Sequence, residues 1–284
     1  MDQPACWTLS LILLSGSRSD PNITHLAFRL AEKGVPWHPC EPGVTHVAWD
    51  IQTGTLHLNG SPLSPSAVFG RRNVFQGGGH CADGYHSAVQ AWAEATGTPF
   101  WPSVPRSPCK VRNLLAAKDC GLRVPGTAIC TEAIAGGIAK PVQGGDYTKS
   151  LRGGSSMPWG IGFAQQYLKG PEYRVFFVGG EFISFRVASD SLDYRIDPET
   201  SFVVADVGSD ILQGIGKLAR KLGYNFCAAD IRCDDSSPVF LEINSSPMFS
   251  VADSVCGGKI TDALITGLLA AAVSTPVQSG ATQP

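Results

Sequence analysis

The chain has no apolar run near the roughly 18–20 residues of a membrane-spanning helix. Its two best candidates, Leu9 to Leu14 and Leu264 to Val273, are too short. Asp2 and no Lys or Arg precede the first run, so the positive region of a secretory signal is missing. That run reads instead as a first buried strand. None of the nine cysteines has Cys-x-x-Cys spacing, and their number is odd. A disulfide framework or zinc site is therefore not expected, and reduced thiols in a cytoplasmic protein are. There is no basic surplus: 22 Lys and Arg face 24 Asp and Glu, for a net charge of −2. That balance argues against a nucleic-acid partner. The Gly-x-Gly-x-x-Gly fingerprint of dinucleotide enzymes is absent, and no Ser/His/Asp or Cys/His triad has a local signature. All six histidines lie in the first 90 residues, and His80 reads as a surface or core side chain. What is plentiful is glycine (32) and proline (20), in a chain of 284 residues that is 43% hydrophobic and 16% charged. Such a chain folds, is rich in turns, and has room for one large domain or two to three small ones.

Residues 1–105 read as a small α/β unit. Leu9 to Leu14 supplies a strand. Ser19 or Asp20 caps a helix with Pro21 early in it and Ile23, Leu26, Ala27 and Leu30 at helical spacing. Gly34 ends that helix, and Val35 to His38 starts a second strand. Ala48 to Leu58 alternates like a hairpin around Gln52-Thr53-Gly54. Ser87 to Ala95 follows as a helix with Val89 and Trp92 inward. Pro99, Pro102, Pro105 and Pro108 form a stiff connector and a domain boundary.

Beyond it, Lys110 to Cys120 reads as a helix closed by Gly121, and Thr127 to Cys130 as a strand leading to Ala139-Lys140-Pro141. A glycine-rich loop spans Gly144 to Gly154. Phe163 to Leu168 is a strand, and Tyr173 to Val178 pairs with Glu181 to Val187 across Gly179-Gly180. Asp210 caps the clearest helix, whose apolar stripe is Ile211, Leu212, Ile215, Leu218, Ala219 and Leu222, with Gly223 as its stop. Gly214 and Gly216 inside it cost about 1 kcal/mol each against Ala, so this helix relies on packing. Strands at Phe226 to Ile231 and Val239 to Asn244 precede a last helix, Ile260 to Ala271. The tail 274–284 lacks periodicity and reads as disordered.

The sharpest chemical feature is Asp230 with Leu241-Glu242-Ile243-Asn244. Strand alternation puts Glu242 and Asn244 on one face, and Leu241 and Ile243 on the other. If the Asp230 strand pairs with it, three oxygen donors converge. Hard donors so arranged suit Mg²⁺, with Mn²⁺ an alternative; a solvated strand face is the other reading. Lys110, Lys140, Arg174 and Arg186 lie at helix starts or in strands, where a lone cation is ordinarily solvated or salt-bridged. The Gly144–Gly154 loop can bring backbone N–H groups to anionic oxygens.

In order, these pieces resemble the ATP-grasp family over residues 70 to 272. The motifs are Cys109-Lys110-Val111-Arg112 through Gly121 to Pro125, Ala139-Lys140-Pro141 with its loop, Gln165-Gln166-Tyr167-Leu168, Glu172-Tyr173-Arg174, Val178-Gly179-Gly180-Glu181, Ala229-Asp230-Ile231 and Leu241-Glu242-Ile243-Asn244-Ser245-Ser246-Pro247. The closing Glu-x-Asn-x-Ser-Pro looks most like RimK-type glutamate ligases and the peptide-modifying graspetide ligases. The resemblance implies an α/β (α+β) ATP-grasp fold: two α+β subdomains, 106–170 and 171–273, gripping the nucleotide behind a pre-ATP-grasp domain, 1–105. It implies an ATP- and Mg²⁺-dependent carboxylate–amine ligase working through an acyl phosphate, with amide or ester product and ADP and phosphate released. A phosphotransferase, and a non-catalytic nucleotide-sensing or partner-binding protein, are the alternatives. The substrate class is an amino-acid or peptide carboxylate with an amine acceptor. Homodimerisation is a base-rate expectation only.

By the same resemblance, Lys110 and Lys140 contact the nucleotide, with Gly144 and Gly145 over the triphosphate. Gln166, Tyr167 and Leu168 form the adenine hinge, and Glu172 lies at the ribose. Arg174 and Arg186 face the phosphates or the reacting carboxylate. Asp230, Glu242 and Asn244 hold the metal. Gln166 stands where many relatives carry Glu, and Met248-Phe249 replaces the usual Gly after Ser-Pro. Asp193-Tyr194-Arg195 looks like the Asp-aromatic-Arg stretch of graspetide ligases, a hint of peptide recognition beside the plainer reading of a loop ion pair. Arg71-Arg72 reads as an interdomain salt bridge, with substrate contact as the alternative.

Overall fold

The computed structural model describes residues 10–71, 79–103, 109–132, 137–142, 148–150, 156–157, 159–234 and 237–274. Gly144, Gly145, Arg72, most of the glycine-rich loop and the tail from 275 lie outside the described residues, as does the side chain of His80. Two compact units divide the chain. One comprises 1–103, 248–250 and 258–284, the other 104–247 and 251–257.

In the first unit, β1 (Ile12–Ser15) leads into α1 (Pro21–Glu32) and then β2 (Trp37–Cys40). Asp20 caps α1 by accepting from the Asn22 N–H, with Pro21 opening the helix. An antiparallel meander follows, β3 (Val47–Trp49), β4 (Leu56–Leu58) and β5 (Ser61–Leu63), the first two being the expected hairpin. β6 (Ala67–Gly70), α2 (Gly79–Thr96) and β7 (Phe100–Trp101) complete a parallel sheet of order β2-β1-β6-β7. β6 and β7 were not expected. The first is four consecutive buried residues with no alternation, as strands covered on both faces commonly are. The second is a two-residue strand inside the proline connector. Leu13 and Val68 join Val89 and Trp92 of α2 and Leu56 and Leu58 of the meander in one core.

The second unit begins with α3 (Lys110–Asp119) and holds two antiparallel sheets. β8 (Thr127–Cys130), β9 (Gly137–Pro141), β10 (Lys149–Ser150) and β11 (Gly162–Gln166) form one, in the order β10-β9-β11-β8. β12 (Glu172–Val178), β13 (Glu181–Ala188), β14 (Ser201–Val204), β15 (Phe226–Asp234) and β16 (Ser237–Asn244) form the other, in the order β14-β13-β12-β15-β16. α4 (Ser209–Leu222) lies between β14 and β15, and α5 (Ser250–Val255) and α6 (Lys259–Ser274) close the chain. Val175, Phe177, Cys227, Ala229 and Ile243 turn one face of the five-stranded sheet onto α3 and α4.

Three expectations are corrected. The N-cap of α4 is Gly208, at φ +83°, so Asp210 falls inside the first turn, where its charge still complements the helix dipole. The strand expected through Leu168 ends at Gln166. α6 packs on β6 and α1 of the first unit rather than with the second. Arg71 forms a salt bridge inside its own unit: its Nε lies 2.6 Å from Asp20 Oδ2, with both side chains 2% exposed. The expected glycine cost in α4 has a packing origin. A Cβ on Gly214 would sit 2.5 Å from Leu122 Cδ2. None of the seven described cysteines is in a disulfide.

Candidate active site

The site grows out of strand register. Arg174 on β12 pairs with Asp230 on β15, and Asp230 pairs with Glu242 on β16. Directly opposed residues project to the same face, so these three side chains form one row. Their neighbours Tyr173, Val175 and Phe177 point the other way, into the helix-covered core. A bulge shifts the register after Asp230, so that Ile231 pairs with Phe240 and Leu241 is left between. Asn244, two residues on from Glu242, shares its face and is exposed.

Arg174 Nη1 donates to Asp230 Oδ1 at 2.8 Å, with both side chains under a tenth exposed. The same nitrogen donates to the Tyr194 hydroxyl. The guanidinium lies 5.5 Å from the Phe176 ring centroid and 5.9 Å from that of Tyr194. Lys110, at the start of α3, brings its Nζ to 3.5 Å from Glu242 Oε2. Lys140 is on β9, in register with Phe163.

The two row carboxylates respond in opposite directions. Burial raises Asp230 to about 6 against the pull of Arg174. Burial also acts on Glu242, but the positive charges of Lys140, Lys110, Arg195 and Arg174 outweigh it and hold this carboxyl below its ordinary value. Burial, reinforced by Asp230, pushes Glu172 up to about 7 although Arg232 Nη2 lies 3.2 Å from it. Lys140 stabilises the charged form of all three acids.

The expected hinge residues are placed by the turn after β11. Gln166 and Tyr167 are exposed and Leu168 is buried. The Cys233 N–H donates to Pro171 O at 3.0 Å, which ties this turn to β15. Gly170 permits the approach, since a Cβ there would lie 2.5 Å from Cys233 O. Gln165, which the sequence motif contained without a role, is a further polar group here. It is 3% exposed, gives its Nε2 to Thr127 Oγ1 at 3.1 Å, and keeps a buried Oε1 that no described group bonds. A polar residue at an inward position of β11 was the available signal.

One expected member does not join the row. Arg186 pairs with Tyr173, so alternation sends it to the opposite face from Arg174, where it is exposed. The Asp193-Tyr194-Arg195 stretch forms the loop ion pair that was its plainer reading, and it reaches the site. Asp193 and Arg195 pair within a short 3-10 turn, Tyr194–Ile196, and Tyr194 between them packs on Arg174.

The donor set fits a hard divalent cation: two carboxylates in register, an amide two residues on, and a buried Asp230 whose ionisation a positive charge would favour. Among the described residues no three His, Cys, Asp or Glu side chains cluster, so the third protein donor falls to Asn244 or to none.

No family model and no curated protein matches this chain. Solved structures do. The ATP-grasp ligase PsnB, complexed with a phosphomimetic variant of its minimal precursor, Mg and ADP, superposes with a TM-score of 0.74 at 20% identity, covering 90% of this chain and 98% of that one. The macrocyclase MdnC from Microcystis aeruginosa MRC, bound with precursor peptide MdnA, gives 0.65 at 17% identity, over 92% and 99%. D-alanine–D-alanine ligase from Bacillus anthracis gives 0.60 at 16% identity, over 94% and 99%. The chain has the α/β fold of the ATP-grasp ligases.

Proposed function

We propose that this protein is an ATP-dependent carboxylate–amine ligase, using Mg²⁺ and acting on a peptide or amino-acid carboxylate. The observation that carries this reading is the Arg174–Asp230–Glu242 row on an ATP-grasp fold, with Lys110 and Lys140 supplying positive charge at its edge. The precursor peptides bound in the PsnB and MdnC structures support a peptide substrate. In this reading the first unit, with α6, holds the pre-grasp domain and the second unit the grasp, and the chain works in the cytoplasm. No described helix is long and apolar enough to cross a membrane.

A carboxylate acylates poorly because oxide is its leaving group. Transfer of the ATP γ-phosphoryl to the carboxylate oxygen gives an acyl phosphate and ADP. An amine then attacks the acyl carbon, and phosphate departs. Such transfer is mostly positioning and charge neutralisation. Lys140 and Lys110 neutralise phosphate oxygens, and Gly144 and Gly145 offer them backbone N–H groups. Arg174 holds the transferring group or the oxyanion, anchored by Asp230 behind it. Gln166, Tyr167 and Leu168 receive the adenine, and Glu172 the ribose. Asp230, Glu242 and Asn244 would hold Mg²⁺, which when bound would supply positive charge to neutralise phosphate oxygens. Hydroxylamine trapping with candidate peptides and ATP tests the chemistry. A hydroxamate formed only with ATP supports the ligase, whereas ADP release with phosphate left on the peptide supports a phosphotransferase.

A further inference from the structure

Asp193 uses both carboxylate oxygens. Oδ1 accepts from the Arg195 backbone N–H at 3.1 Å and from Arg195 Nε at 2.8 Å. Oδ2 accepts from Arg195 Nη2 at 2.5 Å and from the Thr148 backbone N–H at 3.1 Å. The side chain is 4% exposed. Thr148 directly precedes β10, whose Lys149 and Ser150 pair with Ala139 and Ile138 of β9, beside Lys140. Tyr194, between Asp193 and Arg195, accepts from Arg174 Nη1 and lies 5.9 Å from its guanidinium, the guanidinium that is paired with Asp230 of the row. One buried carboxylate therefore connects the Lys140 sheet with the carboxylate row on the other sheet of the same unit.

We infer that Asp193 is a positioning residue, which ties the start of β10 to Arg195 and so sets the phosphate-contacting edge of one sheet against the acidic row of the other. The four donors saturate it, so it has no remaining lone pair of good geometry for a peptide substrate. This separates it from the peptide-recognition role hinted at by the Asp-aromatic-Arg pattern. The inference rests on the nucleotide reading above, because the groups it aligns are those that would meet the triphosphate.

Charge and geometry predict opposite signs here, which makes the test sharp. Removing a negative charge beside a polyphosphate site strengthens ATP binding if charge alone matters. Losing the tether weakens it. The experiment is calorimetric titration of the full chain with ATP and with AMP, both with Mg²⁺, in wild type, Asp193→Asn, Thr148→Pro and the double variant. Thr148→Pro deletes the tethered N–H directly and keeps the test open if Asp193→Asn fails to fold. The inference predicts that each single variant weakens ATP roughly tenfold, the scale of a lost hydrogen bond to a charged group, while AMP changes less than about twofold. The double variant is then no weaker than the worse single one. Unchanged or tighter ATP binding in both single variants overturns the tether. Equal losses for ATP and AMP also overturn it, since they mark a general loss of structure. Wild-type protein that binds no ATP overturns the nucleotide reading itself, and the tether with it.

Discussion

Arg174 and Asp230 stand opposite each other on neighbouring strands, joined at 2.8 Å, and almost no solvent reaches either side chain. A buried ion pair of this kind is weak evidence for stability, because desolvation offsets much of its attraction. Breaking it is costly, since one charge is left without its partner. Arg174→Met is expected to lower unfolding free energy by about 3 kcal/mol, with Asp230→Asn on the same background recovering part of the loss. Urea unfolding of the two single variants and the pair measures both terms.

Glu172 gives a pH dependence of definite sign. Its carboxyl is near 7 in the folded protein against an ordinary 4.5, because burial and Asp230 disfavour the charged form. The folded state then binds more protons than the unfolded state across that window, so stability falls as pH rises through it. Asp230, raised to about 6, acts with the same sign over a lower window. Glu242 is depressed and acts oppositely, its contribution being lost as pH falls. Glu172→Gln should therefore flatten the decline in Tm between pH 5 and roughly 8, leaving Tm at the acid end nearly unchanged. A decline as steep as that of wild type would remove Glu172 as its source.

Gly214 tests packing against helix propensity. Ala at an exposed helical site is better than Gly by about 1 kcal/mol. Here a Cβ would meet Leu122 at 2.5 Å, so Gly214→Ala is expected to destabilise by about 1–3 kcal/mol. Leu122→Ala on that background should relieve most of the added strain. Additive losses in denaturant titrations would show that the two positions do not share this space.

Asn22 carries a backbone turn in the first unit. Its Oδ1 accepts from the Phe249 N–H at 2.7 Å and from the Ser250 N–H at 3.0 Å. Asn22→Leu would leave both donors without that acceptor and is expected to cost about 2–3 kcal/mol. Amide exchange at Phe249 and Ser250 should rise in the same variant.

The Asp230–Glu242–Asn244 arrangement was legible because it needs only alternation within β16 and one pairing partner, Asp230, on the adjacent strand. The α1 cap was legible because Asp20-Pro21 is a local signal. Arg186 was misplaced because a hairpin's register decides which face each residue takes, and nothing in the isolated residue type reveals that. β6 and β7 escaped because a short buried parallel strand has no alternating pattern. The Asp193–Arg195 ion pair was legible as a loop pair, but its tie to Thr148 and the role of Gln165 were not, for a third reason. Both lie in partners far along the chain or in an acceptor left unmatched, and these exist only once the sheets are assembled.

Thermal unfolding with Mg²⁺ and ATP, run on wild type beside Glu242→Gln, tests the central claim most directly. A ligand at 100 times its Kd stabilises by about 2.7 kcal/mol, a readable rise in Tm. The account predicts that wild type rises only when both Mg²⁺ and ATP are present and that Glu242→Gln responds much less. An equal rise in both proteins, or none in wild type at millimolar ATP with a peptide carboxylate also supplied, would contradict a nucleotide–metal site on this row.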